Sequence, residues 1–119
     1  MRYEILIYNN AECEAAITGE LKDEFENAHG TLIHELQESG ELIETNVLSM
    51  EAAVVVRADR EAPHRVHTTD GPFVESKEWV GGFYLVDCVS IHRAVEIAGR
   101  FVEARFSPVE VRQLEYDPR

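Results

Sequence analysis

The run GFYLVDCVSIHRAVEIAGRFVEARFSPVEVRQL, Gly82 to Leu114, sets the architecture of this chain. Gly82–Cys88 (GFYLVDC) is rich in the aromatic and branched residues that fill a pleated strand. A helix starts near Ser90, where Ile91, Val95, Ala98 and Val102 recur at steps of three and four. Val109–Leu114 (VEVRQL) then closes as a strand. Strand, helix and strand in one uninterrupted run make half of a two-layer domain.

The other half lies at the opposite end of the chain. Tyr3–Tyr8 (YEILIY) is short, apolar and β-prone. Asn9–Thr18 reads as a loop carrying Cys13. Thr18 is placed to cap a helix with Glu20 in its first turn, and Gly40 is placed to end it. Leu21, Phe25, Ala28, Leu32 and Leu36 supply the apolar stripe between them. Glu41–Met50 reads as an irregular strand. Ala52–Ala58 (AAVVVRA) has the valine run of a buried-type strand, Asp59–Pro63 (DREAP) is a turn, and Arg65–Thr69 returns as a hairpin partner. The order β-α-β-(hairpin)-β-α-β predicts an α+β, ferredoxin-like domain over residues 1–119, with two helices on one face of a mostly antiparallel sheet. The uncovered sheet face favours a homodimer with facing sheets, an arrangement of the dimeric α+β barrel type.

Composition narrows the function. The 119 residues carry a formal net charge of −12. Residues 1–51 hold 12 acids against Arg2 and Lys22, whereas residues 52–119 hold 11 acids against nine bases. So acidic a chain repels phosphate backbones, which argues against direct nucleic-acid binding. Much of the acidic half is expected to be a solvated helix face, and a basic partner is its other use. No apolar run is long enough to span a bilayer, and two widely spaced cysteines, Cys13 and Cys88, fit free thiols in a reducing cytosol.

Two histidines share the first long helix. With Phe25 at the origin of a helical wheel, His29 falls at about 40°, inside the apolar stripe, and His34 at about 180°, on the solvent face. An inward imidazole beside a carboxylate can serve as a base near neutral pH. The spacing of His64, His67 and His92 with nearby acids fits no recognised metal motif. The stretch TDGPFVESKEWVGGF, Thr69–Phe83, packs Asp70, Glu75, Lys77 and Glu78 between a turn and Gly81-Gly82, where missing side chains leave room for a ligand or for close backbone approach.

That stretch resembles the signature TDGPF-x-E-[ST]-K-E-x-x-GGF of the DGPF branch of the YCII-related proteins. Ala28-His29, followed by a helix to Gly40, is similar to the Ala-His…Gly helix of the wider group. The resemblance implies a dimeric ferredoxin-like fold and a pocket where a His meets an Asp, here His29 and Asp70, as in relatives that include a dehydrochlorinase of a chlorinated hydroxyquinol. The density of ionisable groups at this turn, together with a helix that aims one histidine inward, places Glu75 and Lys77 with Asp70 around a ligand pocket entered beside Gly81 and Gly82. Two departures stand out: Glu41–Met50 lacks the family's usual glycine and following proline, and Trp79 stands where a polar residue is usual, as a dimer contact or a lid. Two functions follow as expectations. One is a cofactor-free lyase or isomerase acting on a small cyclic or aromatic metabolite. The other is a ligand-binding accessory module, with an extracytoplasmic-function sigma factor as its possible partner.

Overall fold

The computed structural model describes residues 1–71, 77–116 and 118. Strand β1 spans Arg2–Asn9, and its residues alternate between intermediate and full burial. That period-two pattern puts Tyr3, Ile5 and Ile7 on the core face. Helix α1 (Ala11–Thr18) follows at once, then α2 (Lys22–Ser39) and β2 (Leu42–Val47). Strands β3 (Val54–Ala58) and β4 (Val66–Asp70) form a hairpin; β5 (Trp79–Asp87), α3 (Ile91–Ala98), a 3₁₀ turn (Val102–Arg105) and β6 (Val109–Gln113) complete the chain.

The main sheet has the order β2-β5-β1-β6, with every neighbouring pair antiparallel. This is the α+β, ferredoxin-like arrangement, and the sheet is open. Its core joins Tyr3, Ile5 and Ile7 to Tyr84 and Val86 of β5, Leu32 and Leu36 of α2, Ala94, Ile97 and Ala98 of α3, and Phe101. Gly40 ends α2 at φ 78°, in the left-handed region where a side chain is strained. Ser90 caps α3 by accepting from the Arg93 amide.

Three local expectations are corrected. Asn9–Thr18 is not a loop. Asn10 caps α1 by accepting from the Cys13 amide, and Cys13 is the one fully buried residue of that helix, too little to show as a periodic stripe. Thr18 therefore ends α1, donating from its hydroxyl to the Glu14 carbonyl, and α2 begins at Lys22 with no side-chain cap. Third, β3 is not buried: among the described residues it pairs only with β4, in a separate two-stranded sheet, and Val54 and Val56 are exposed. A valine run records β propensity, and burial depends on what covers the strand. The hairpin helps to give a radius of gyration of 16.3 Å, against roughly 13.5 Å for a compact domain of this length.

Candidate functional site

A cavity of 910 Å³ opens between the helix layer and the β2–β5 side of the sheet. Its walls come from β1 (Ile7, Asn9), α1 (Glu14, Ile17), α2 (Phe25, His29, Ile33), the end of β2 and the residues after it (Val47, Leu48, Met50), and β5 (Trp79, Gly81, Gly82, Tyr84). Glu103 reaches it from the 3₁₀ turn. Most of these side chains are apolar or aromatic. Polar side chains also line the cavity, among them Thr18, Glu26, Thr45, Asn46, Ser49 and Glu51, and a mixed lining of this kind suits a small molecule.

His29 is the centre of one polar group. Its side chain is 16% exposed, turned inward as the wheel predicts, while His34 faces solvent. Nε2 lies 2.9 and 3.0 Å from the two carboxylate oxygens of Glu103, and Nδ1 lies 2.7 Å from the Tyr84 hydroxyl. Phe101 stacks on the imidazole at 5.1 Å, and Phe25 meets it edge-on at 5.0 Å. Burial, and then the negative charge of Glu103, pushes the Tyr84 phenol far above its ordinary value, so it keeps its proton. In the neutral ring this geometry fits one tautomer, with the Tyr84 O–H donating to bare Nδ1 and the Nε2–H donating to the Glu103 carboxylate.

Each partner arrives by a different local rule. Tyr84 sits two residues from Gly82 and from Val86, on the strand face turned to the helices. Glu103 is held by the turn that extends α3, flanked by buried Phe101 and Val102. Around it, Ser107 donates to the Tyr8 and Glu103 carbonyls. A second polar pair lies at the cavity wall, where the Asn9 amide donates to Glu14 at 2.6 Å.

The expected pairing of His29 with Asp70 is not the one this fold makes. Both ring nitrogens are taken by Tyr84 and Glu103, and Asp70 ends the exposed strand β4. Asp70 and Lys77 do not line the cavity, and Glu75 lies outside the described residues. Gly81 and Gly82 do line it. The strands also require them: a Cβ on Gly82 would stand 2.9 Å from the Asn46 carbonyl oxygen, and one on Gly81 would stand 3.3 Å from Asn9 Cβ. The β1–β5 register shifts beside them, with Ile7 opposite Gly82 and Tyr8 opposite Val80, leaving Gly81 as the extra residue of a bulge. Trp79 lines the cavity as well, and its Nε1 is sealed from solvent with no hydrogen-bond partner among the described residues.

Elsewhere the acidic half is partly neutralised within the fold. Glu24 pairs with Arg105 at 2.6 Å, Glu35 with Arg100 at 2.5 Å, and Glu41 with Arg93 through two bonds of 2.9 Å. Among the described residues, no three His, Cys, Asp or Glu side chains are grouped to hold a metal ion. No described helix is long and apolar enough to cross a membrane.

The YCII-related domain family matches residues 1–115, almost the whole chain. The chain belongs to that family. It is also similar to an uncharacterised protein of Rhizobium meliloti, at 30% identity over 98 residues that cover 82% of this chain and 77% of the relative. The inward histidine on α2 is thus carried on a YCII-related scaffold, and in this member its partners are a tyrosine and a glutamate.

Proposed function

We propose that this YCII-related protein binds a small cyclic metabolite in the cavity and moves a proton on it without a cofactor, as a lyase or isomerase does. One observation carries the reading. His29 is held on both sides, by the Tyr84 hydroxyl and by the Glu103 carboxylate, at the wall of a largely apolar cavity. A carboxylate that fixes an imidazole's tautomer and steadies its cation is the recurring support of general-base histidines.

The Tyr84 hydroxyl is the group that meets the substrate. As a substrate C–H or O–H proton passes to the Tyr84 oxygen, the phenol proton passes to His29 Nδ1. The substrate keeps the electron pair of the broken bond, and the imidazolium is balanced by Glu103. Reversal of the relay reprotonates the substrate at another atom, or a leaving group departs with the pair. Isomerisation and elimination need nothing further. Exclusion of water by Phe25, Phe101 and the apolar walls strengthens each of these interactions.

The partner copy belongs to the same proposal. Val54, Val56 and Val66 of the hairpin are all more than half exposed, and a two-stranded ribbon is marginal alone in water. A second copy is the occupant we propose for that surface. An accessory role beside a sigma factor would draw on the acidic half of the chain, where Glu24, Glu35 and Glu41 are already committed to arginines.

A panel of cyclic alcohols, enones and halogenated ring compounds in D₂O tests the chemistry by mass spectrometry. Deuterium incorporation or halide release should occur with the native chain and be lost in Tyr84→Phe and His29→Gln. Compounds that bind the cavity yet exchange no proton would contradict catalysis and favour a ligand-sensing module.

A further inference from the structure

A second hydroxyl stands beside the relay. Strands β2 and β5 are antiparallel, and Thr45 lies directly opposite Tyr84 in their register. Opposed residues share one face of a sheet, with Cβ atoms about 5 Å apart. Thr45 is accordingly half-buried between exposed Glu44 and Asn46, and it lines the same cavity as Tyr84. Its Oγ1–H donates to the carbonyl of Phe83 at 2.9 Å. The titratable groups that face the phenol are His29 from α2 and Glu103 from the 3₁₀ turn. Burial raises the phenol first and Glu103 second, and the Thr45 hydroxyl, within hydrogen-bonding reach, works against both. A phenol that hands its proton to His29 carries negative charge until the substrate proton arrives, and such charge is costly in a buried place unless donors meet it. His29 Nδ1–H supplies one donor after the transfer, and Glu103 supplies none. Thr45 can supply the second by turning one bond, because its single proton goes to the stronger acceptor.

We propose that Thr45 is a positioning residue of the relay. Its hydroxyl rests on the Phe83 carbonyl while Tyr84 holds its proton, and turns to donate to the Tyr84 oxygen as that oxygen passes its proton to His29. The inference rests on the reading of His29, Tyr84 and Glu103 as a proton relay, and adds the group that steadies its outer member. No bond breaks at Thr45: its proton stays on Oγ1 throughout, and the substrate proton still arrives at the Tyr84 oxygen.

The test places a fluorinated tyrosine at position 84 of the full-length chain, where it titrates at lower pH than tyrosine and is followed alone in ¹⁹F spectra. Thr45→Val and Thr45→Ala both remove the hydroxyl and differ in bulk, whereas Thr45→Ser keeps it. Removal should raise the midpoint by about one unit or more in both variants, the equivalent of one hydrogen bond to a charged group, and Thr45→Ser should restore it. With the natural tyrosine in place, deuterium exchange into a ring substrate should slow about tenfold in Thr45→Val at unchanged KM and recover in Thr45→Ser. A midpoint that neither Thr45→Val nor Thr45→Ala moves overturns the proposal, whatever those variants do to the urea midpoint, because a strand contact to Phe83 alone would change only stability. A shift in Thr45→Ala without one in Thr45→Val traces to bulk and overturns it as well. The titration needs no turnover. A catalytically silent protein with the expected shift loses the relay and keeps the Thr45 contact, and an active protein with an unmoved midpoint keeps the relay and loses Thr45.

Discussion

Removing one oxygen atom from Tyr84 should destabilise the fold through His29. Tyr84→Phe keeps the ring, which is 2% exposed and packs on Phe101 at 4.9 Å, and creates only a small void. It deletes the 2.7 Å bond to Nδ1 and leaves that lone pair without its donor. A buried acceptor left unmade costs about 1–3 kcal/mol. The imidazole is 16% exposed, so water can reach it in part, and the lower half of that range applies. A loss of about 1.5 kcal/mol is expected, or a melting temperature lower by roughly 5 °C for a domain of this size. Tyr116→Phe makes the same chemical change at a side chain 83% exposed and should stay within about 0.5 kcal/mol of native. Urea unfolding reads both, since a lower midpoint at unchanged slope isolates stability. Equal midpoints for the two variants would refute the claim that His29 satisfies the Tyr84 hydroxyl.

Other consequences follow from the same contacts. The phenol of Tyr84 is raised above the ordinary 10.0 chiefly by burial, so the native state holds its proton longer than the unfolded chain. That contribution is present below pH 10 and lost as pH climbs through the native value, and the alkaline loss of stability should shrink in Tyr84→Phe. The Arg93 guanidinium holds Glu41 below its ordinary 4.5; stability from this pair is present above that value and fades as pH falls through the native one, so Glu41→Gln should flatten the acid limb of a stability–pH profile. Gly82→Ala should cost about 1–3 kcal/mol, because its methyl meets a strand carbonyl at 2.9 Å, whereas Gly30→Ala meets nothing within 4 Å in mid-helix and should gain about 0.5–1 kcal/mol; melting curves that move together would refute the strand contact. Sedimentation at micromolar concentration should give a dimer, and a monomer would remove the second copy from the hairpin.

The parts of the fold that announce themselves by period were legible in the sequence. The stripe from Leu21 to Leu36, the strand around Tyr3–Tyr8 and the helix begun by Ser90 each repeat a spacing that one buried face imposes. Helix α1 repeats nothing, because it buries a single residue and is held by its cap. His29 was legible for the same reason as the core: its angle on the wheel is a property of one helix. Its partners were not. Glu103 lies 74 residues away and Tyr84 lies 55 away, so their meeting depends on how the 3₁₀ turn and β5 dock against α2. A glutamate between Phe101, Val102 and Ala104 was the one available signal, since an acid in an apolar run needs a buried partner. The turn at Asp70 drew the expectation instead, because its charges are dense in sequence even though β4 holds Asp70 out in solvent.

The protonation of the His29 ring tests the account most directly. Long-range ¹H–¹⁵N correlation at a pH above the ordinary imidazole range distinguishes a nitrogen that carries hydrogen from one that accepts it. The relay requires a bare, hydrogen-bonded Nδ1 facing Tyr84 and a protonated Nε2 facing Glu103, with the Nδ1 signal moving toward that of a free lone pair in Tyr84→Phe. A ring protonated on Nδ1, or one that exchanges freely between tautomers as the exposed His34 should, would contradict it.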